Sequence, residues 1–471
     1  MTVGALTRDT MPTHEGDLSI EGHGFEPIPE SSRYGSVARV FTVWFTPNLV
    51  PAAFFIGTLV AADFLGLGFL TSLLAIVVGN VVGSIVVGAL AIMGPRTGMA
   101  QMPLARLAYG KSIVVPGLLN WLSCIGWDGI NSIFGATALS ILTPLPFVVS
   151  LLIIVVLQAA LGVVGYEAIH LFEKYMAIVL AVMFAILTVV IIGKASTGMA
   201  RTDALSGLDD LGAFITYVAI VASFVLAWAL YASDYTRYLP PTASRSRVFL
   251  WTVLGLSISA AWIEILGVMV ADQSTASASG TINTILGGGL VGSLAMLAIV
   301  VGTVAVNAMN DYTGSLSLQA AGIHVKRVYS ALVVAALGFL FTLYLNSGDF
   351  AEKFENYLLF IAYWIAPWAA VVLVDWWLRR GSTDVSGLSR FASLASGWWA
   401  LASLIIGFAV SLPFQQSTLG FDFMNAGYPV NTIATNSLHG ADLGFEVGFV
   451  VAAALYWLGA KAGLVDTLKK A

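Results

Sequence analysis

Trp127 and Asn131 close the stretch Trp121-Leu122-Ser123-Cys124-Ile125-Gly126-Trp127-Asp128-Gly129-Ile130-Asn131. On a helix they lie one turn apart on the same face. An indole offers a flat apolar surface to a planar ring, and a carboxamide offers two donors and an acceptor to that ring's edge. The pair suits a flat, neutral, hydrogen-bonding solute. A second amide pair, Asn307 and Asn310, shares a helix face in Val306-Asn307-Ala308-Met309-Asn310-Asp311-Tyr312-Thr313, a stretch too polar for lipid. Bidentate amide contact is how Asn reads adenine in nucleic acids, and a free base offers the same edge. Each feature also has a plain structural reading, with Trp127 as a packing residue and the three amides as bonds between helices. The glycines around Trp127 favour helix contact over lipid exposure.

Two carboxylates fall inside apolar stretches, Asp128 beside Trp127 and Glu264 further on. An ionisable group at membrane depth is costly and is functional by default, with proton relay foremost. Asp128 projects about 100° away from Trp127 around a helix, which suits coupling better than direct contact with a solute. Both acids are candidates for carrying a proton, with a bond to a neighbouring helix as the alternative. The five histidines are scattered, and the single cysteine, Cys124, excludes an internal disulfide and a thiolate cluster. GxxxxGK[ST] and HExxH are absent, and the reading contains no cofactor, no resident metal, no nucleic acid and no obligate protein partner. Any uphill work would draw on an ion gradient.

The elements that must hold these groups are twelve apolar spans, near 40–62, 67–93, 115–142, 146–165, 172–193, 212–233, 250–271, 289–320, 328–346, 356–378, 393–413 and 443–462. Each is long enough to cross a roughly 30 Å hydrocarbon layer as a helix. With 58% hydrophobic residues, 10% charged residues and a mean hydropathy of +0.89, the chain belongs in lipid. All 21 basic residues except Lys194, Arg201 and Lys353 lie in the tails and the even-numbered connections. The positive-inside rule then places both termini in the cytoplasm of a multi-pass plasma-membrane protein. Residues 1–35 are polar, lack the apolar core of a secretory signal and read as a flexible cytoplasmic tail.

Twelve spans fit two six-helix halves or a five-plus-five inverted repeat with two extra helices. The first span reads Trp44-Phe45-Thr46-Pro47-Asn48-Leu49-Val50-Pro51, and its two prolines predict a broken helix. Thr46 and Asn48 at that break join the candidates for solute contact. The sixth span, Ser223-Phe224-Val225-Leu226-Ala227-Trp228-Ala229-Leu230-Tyr231-Ala232-Ser233-Asp234-Tyr235, has no proline but carries polar groups and an inner carboxylate. Spans one and six are counterparts in a five-plus-five plan, as are three and eight, and irregular segments at matched positions point to a central site.

Four segments, Gly24-Phe25-Glu26-Pro27-Ile28-Pro29-Glu30, Gly126-Trp127-Asp128-Gly129-Ile130-Asn131, Ala232-Ser233-Asp234-Tyr235-Thr236-Arg237-Tyr238-Leu239-Pro240 and Asn310-Asp311-Tyr312, together resemble the purine and cytosine permease branch of the nucleobase–cation symporter family. The resemblance runs in order over most of the chain. It implies an all-α, leucine-transporter-type fold of twelve helices, with repeat one over about 36–194, repeat two over about 208–380 and extra helices over about 390–462. It also implies a bundle of spans 1, 2, 6 and 7 that moves against a scaffold including spans 3 and 8. A substrate would be sandwiched between Trp127 and an aromatic ring of span six, Trp228 in preference to Phe224. Asn131 and Asn310 match positions that bond the base edge, with Asn307 as an addition. Sodium-coupled members carry paired hydroxyls on span eight, whereas Thr303-Val304-Ala305 leaves one here, which favours a proton carried by Asp128 or Glu264.

The expected function is a secondary symporter that imports cytosine or a purine such as adenine, guanine or hypoxanthine with a cation by alternating access. The same resemblance admits hydantoin, allantoin, uracil or thiamine as solute, and sodium as the ion. An intramembrane enzyme acting on diphosphates would need clustered aspartates at an inner face, and the one adjacent pair, Asp209-Asp210, lies in an outward loop.

Overall fold

The computed structural model describes residues 26–61, 64–164, 166–194, 207–274, 277–323, 325–380, 384–417 and 431–468. The tail expected over 1–25 lies outside the described residues. In hydrocarbon each backbone N–H and C=O must find its partner within the segment, so the apolar runs fold as helices. In chain order they are α1a (Arg39–Phe45) and α1b (Pro51–Thr58), α2 (Phe69–Ala91), α3 (Val114–Leu142), α4 (Phe147–Val164), α5 (Tyr166–Lys194), α6a (Leu208–Leu226) and α6b (Ala232–Thr236). They continue with α7 (Arg245–Met269), α8 (Gly289–Ala320), α9 (Arg327–Leu345), α10 (Phe350–Leu378), α11 (Trp398–Ser411) and α12 (Gly444–Lys461).

Among the described residues, nine helices are long and apolar enough to cross a membrane, and the bent pair α1a–α1b makes a tenth. Two shorter apolar helices, Phe147–Leu161 and Trp398–Phe414, occupy the places of the expected fourth and eleventh spans. Side chains such as Leu70, Leu74, Val77 and Val81 on α2 and Ile178, Val182, Val189 and Ile192 on α5 are exposed, as a lipid-facing surface requires.

The packing repeats with a shift of five helices. α2 lies on α6a as α7 lies on α1a and α1b; α4 lies on α8 as α9 lies on α3; α3 pairs extensively with α8, and α2 with α7. Helices α1, α2, α6 and α7 therefore form one group, and α3, α4, α8 and α9 a second. α12 packs on α10 and α11 outside the repeat. Close approach sets the first group: a Cβ on Gly57 of α1b would overlap the Glu264 carbonyl of α7.

Three short helices, Gly94–Thr97, Gln101–Leu104 and Arg106–Tyr109, fill the connection from α2 to α3. Buried Arg106 donates from Nε and Nη2 to the Ala320 carbonyl at 3.0 and 2.7 Å, and from Nη2 to the Gln319 carbonyl at 3.0 Å. It caps the last carbonyls of α8, which have no partner within their own helix, and puts a cation at that helix's negative end. Residues near the start of the described chain rest on the same region, with Ile28 N bonded to Gly98 O at 2.9 Å and Arg33 Nη1 to Pro95 O at 2.9 Å.

Candidate functional site

The first segment breaks where its prolines stand. Thr46–Asn48 form a single 3-10 turn, Leu49 and Val50 leave helical geometry, and Pro51 restarts the helix at its first position, where its missing N–H leaves no hydrogen bond unmade. The two halves meet at 63°. The sixth segment also changes form, passing through a 3-10 stretch over Ala227–Tyr231 between α6a and α6b. No proline marks that change.

A cavity of about 50 Å³ lies between these irregular stretches and the scaffold pair α3 and α8. Pro47, Val50 and Ala52 from α1 face Trp127 and Asn131 from α3; Phe224, Ala227, Trp228 and Tyr231 come from the sixth segment, and Val306 and Asn310 from α8. Five residues singled out by type and spacing, Trp127, Asn131, Phe224, Trp228 and Asn310, thus share one cavity.

Its aromatic walls are held from behind. Trp127 packs edge to face against Phe224, with centroids 5.9 Å apart, and against Tyr357 of α10 at 5.5 Å and 90°. Tyr357 is fixed in turn by its hydroxyl, which donates to the Ser123 carbonyl at 2.9 Å. Across the cavity, Trp228 is flanked by Trp44 at 6.0 Å and Tyr231 at 5.7 Å. Its Nε1 donates to Asn48 Oδ1 at 3.0 Å. Such edge contacts favour one ring orientation and leave the cavity-facing surface free.

The polar groups divide. Asn310 Nδ2 is buried without a partner among the described residues, a donor that a guest's acceptor would satisfy. Asn48, by contrast, is fully engaged on both sides: Nδ2 donates to the Trp44 carbonyl at 2.9 Å and to Ser259 Oγ at 3.0 Å. It ties the break to α7 and aims Trp228. Thr46 sits in the 3-10 turn, its backbone N–H bonded to Thr42 O. Asn307 turns away from the cavity and donates from Nδ2 to Ser132 Oγ at 2.9 Å, Gln158 Oε1 at 2.8 Å and the Asp128 carbonyl at 3.1 Å.

The two candidate acids lie in different helix groups. Asp128 is fully buried in the scaffold, with both carboxylate oxygens 2.8 Å from Gln158 Nε2 of α4. Glu264, also fully buried, accepts from Asn80 Nδ2 of α2 within the other group, and its Oε1 has no partner among the described residues. Among the described residues no set of His, Cys, Asp and Glu is arranged to hold a metal.

Sequence reasoning passed over Gln158, Tyr231 and Tyr357. Gln158 had a usable signal, a lone amide in the middle of an apolar span. The tyrosines had none, because a tyrosine on a helix reads the same whether it faces lipid or a partner ring.

Residues 27–448 match the family described as permeases for cytosine/purines, uracil, thiamine and allantoin. The purine-cytosine permease fcyB of Emericella nidulans is 28% identical over 97% of this chain and 91% of its own. The putative purine-cytosine permease YxlA of Bacillus subtilis is 27% identical over 94% and 96%. Among solved structures, the inward-facing conformation of Mhp1 superposes with a TM-score of 0.74 at 18% identity, over 95% of this chain and 96% of that one. That likeness shows the fold, an all-α bundle of apolar helices. Through a match that runs across nearly all its helices, the chain is a permease rather than an enzyme and belongs to the nucleobase–cation symporter family.

Proposed function

We propose that this chain imports a nucleobase, cytosine or a purine such as adenine, guanine or hypoxanthine, together with a proton, by alternating access. The observation that carries the reading is the cavity itself, where Trp127 and Trp228 face the space that the unpartnered amide of Asn310 adjoins. A base would stack against the indoles while Asn131 and Asn310 bond its edge. Phe224 completes the wall beside Trp127. Thr46, Asn48 and Asn307 serve the site indirectly, by shaping the break and bracing the rings and the scaffold.

Movement of α1, α2, α6 and α7 against α3, α4, α8 and α9 would open the cavity to one side and then the other. The repeats span about 36–194 and 208–380, with both termini cytoplasmic in a plasma membrane. In favour of a proton, the one hydroxyl of Thr303-Val304-Ala305 points its donor at the Asn131 carbonyl at 3.5 Å, while Asp128 and Glu264 supply buried acids. Purine-cytosine permeases among the relatives agree with the solute class.

Uptake of labelled adenine and cytosine into proteoliposomes tests the proposal, with pH and sodium gradients imposed separately and hydantoin, allantoin, uracil and thiamine as competitors. Accumulation driven by the pH gradient alone and competed by bases is the expected result. Accumulation driven by sodium alone would overturn proton coupling, and preference for hydantoin or thiamine would replace the solute.

A further inference from the structure

Within the group formed by α1, α2, α6 and α7, helices α2 and α7 run antiparallel. Gly88 meets Phe249 and Val253, Ser257 Oγ donates to Ser84 Oγ at 3.1 Å, and one turn before Ser84, Asn80 bonds Glu264. Asn80 and Glu264 are both fully buried. The two amide hydrogens of Asn80 fix its orientation: Nδ2 donates to the Ile76 carbonyl at 3.0 Å and to Glu264 Oε2. Turned over, the amide would set its oxygen against that carbonyl. Two acceptors are then left in one contact. Neither Asn80 Oδ1 nor Glu264 Oε1 has a hydrogen-bond partner among the described residues.

A buried acceptor without a donor is costly, and a buried carboxylate held by one neutral donor is far more so. The elements around the pair do not relieve it. α1b brings Gly57, against the Glu264 carbonyl, and Thr58, whose hydroxyl donates to the Phe55 carbonyl at 2.7 Å. α6a brings Tyr217, whose hydroxyl donates to the Ile56 carbonyl at 3.3 Å. α5 brings Thr188, which accepts from Trp262 Nε1 at 3.1 Å. Among the described residues no cation and no second carboxylate bonds Glu264. A single proton removes every one of these costs. Placed on Oε1 it neutralises the acid, and directed at Asn80 Oδ1 it gives both lone oxygens a hydrogen bond. Acid and amide then face each other through two bonds, one in each direction. Asp128 differs, because both its oxygens already accept from Gln158 Nε2 at 2.8 Å.

We propose that Glu264 and Asn80 form a neutral acid–amide pair that holds one proton between α2 and α7, and that this is the proton moved with the base. The inference rests on the nucleobase-transport reading and deepens it by choosing Glu264 over Asp128. α7 carries the link to the cavity. Five residues before Glu264, Ser259 Oγ accepts from Asn48 Nδ2 at 3.0 Å, and Asn48 Oδ1 accepts from Trp228 Nε1 at 3.0 Å. The seating of α7 on α1 and α2 therefore sets both the partner of the acid and the ring on which a base stacks. Loss of the proton leaves a carboxylate beside an amide oxygen. The two repel, the contact between α2 and α7 loosens, and water reaches the acid, so the proton comes from water and returns to it. Bound base favours the seated α7 and hence the proton, because linkage is reciprocal.

The test uses purified full-length protein, adenine and cytosine as probes, and two readouts. In the infrared, the difference between wild type and Glu264→Gln should contain the carbonyl stretch of a protonated carboxylic acid in mildly acidic solution. An ionised carboxylate in its place would overturn the pair, whether or not any base binds. The second readout is proton exchange in weak buffer with a pH indicator. At a pH where the base-free acid is ionised, wild type should take up about one proton per base bound, and its Kd should weaken about tenfold per pH unit. Glu264→Gln can keep both bonds to Asn80, since its amide donates and accepts as the protonated acid does. It should bind base with a flat pH profile and no proton uptake, which a merely structural acid would not produce. Proton uptake that survives in Glu264→Gln and disappears in Asp128→Asn would overturn the assignment. Base bound by wild type with no proton exchanged would overturn the coupling and leave the solute reading standing. A wild type that binds neither base would remove the transport reading, while the infrared result still decides the pair.

Discussion

Asn310 keeps a buried N–H without a partner among the described residues, and a group in that state costs stability until something accepts its hydrogen bond. Asn310→Ala removes that donor, so base affinity should fall by roughly 10- to 100-fold, about 1–3 kcal/mol, with membrane abundance unchanged. Labelled-base binding alongside quantified expression checks both halves. Asn48→Ala acts differently. It releases Trp228 Nε1 and Ser259 Oγ together, so uptake and melting temperature should both drop, by about 1–3 kcal/mol in stability. A melt in detergent that matches wild type would contradict that role. The contrast shows what residue types reveal. Trp127, Asn131 and Asn310 could be placed from spacing because an indole and an amide one turn apart already define a face. Asn48 and Asn307 carry the same chemistry, yet their partners Trp228, Ser259 and Gln158 are remote in sequence, and nothing local tells a solute contact from a brace.

Among the elements, the break in α1 was readable because Pro47 and Pro51 remove donors at fixed positions. The change in the sixth segment was readable only as unusual polarity, since Ala227–Tyr231 tighten to a 3-10 turn around packed aromatic rings rather than at a helix breaker. The short helices between α2 and α3 were not readable, because Arg106 gains its role from the end of α8, more than two hundred residues away. Close contact of α1b with α7 gives the sharpest test at this scale. Gly57→Leu would force a side chain into the Glu264 backbone, and strain of this kind typically costs 1–3 kcal/mol or more. The variant should lose thermal stability and transport together, and a wild-type melt would show that the helices are further apart than described.

In the molecule as a whole, the five-helix repeat could be anticipated from hydropathy and from matched irregularities, whereas helix lengths could not. The eleventh span, expected from residue 393, forms its helix only from Trp398, since composition does not tell where a helix begins. Asp442 joins the loop before α12 to α10, accepting from the Tyr363 hydroxyl, from Gln416 N at 2.7 Å and from Gly444 N at 2.9 Å. Burial pushes its carboxyl up from 3.8 to about 6 despite those bonds. The folded state holds this proton more tightly than the unfolded chain, so the stability it contributes is full below the unfolded value and is lost as pH rises through about 6. Melting temperature should therefore fall between about pH 4 and pH 6 more steeply in wild type than in Asp442→Asn. Equal slopes would remove Asp442 from the account. The central claim, that a base is gripped where the broken first segment and the 3-10 stretch of the sixth meet α3 and α8, is tested most directly by a structure determined with saturating adenine or cytosine. The account predicts density for a planar ring stacked on Trp127 and Trp228 with its edge on Asn131 and Asn310; a base bound elsewhere, with those four side chains untouched, would contradict it.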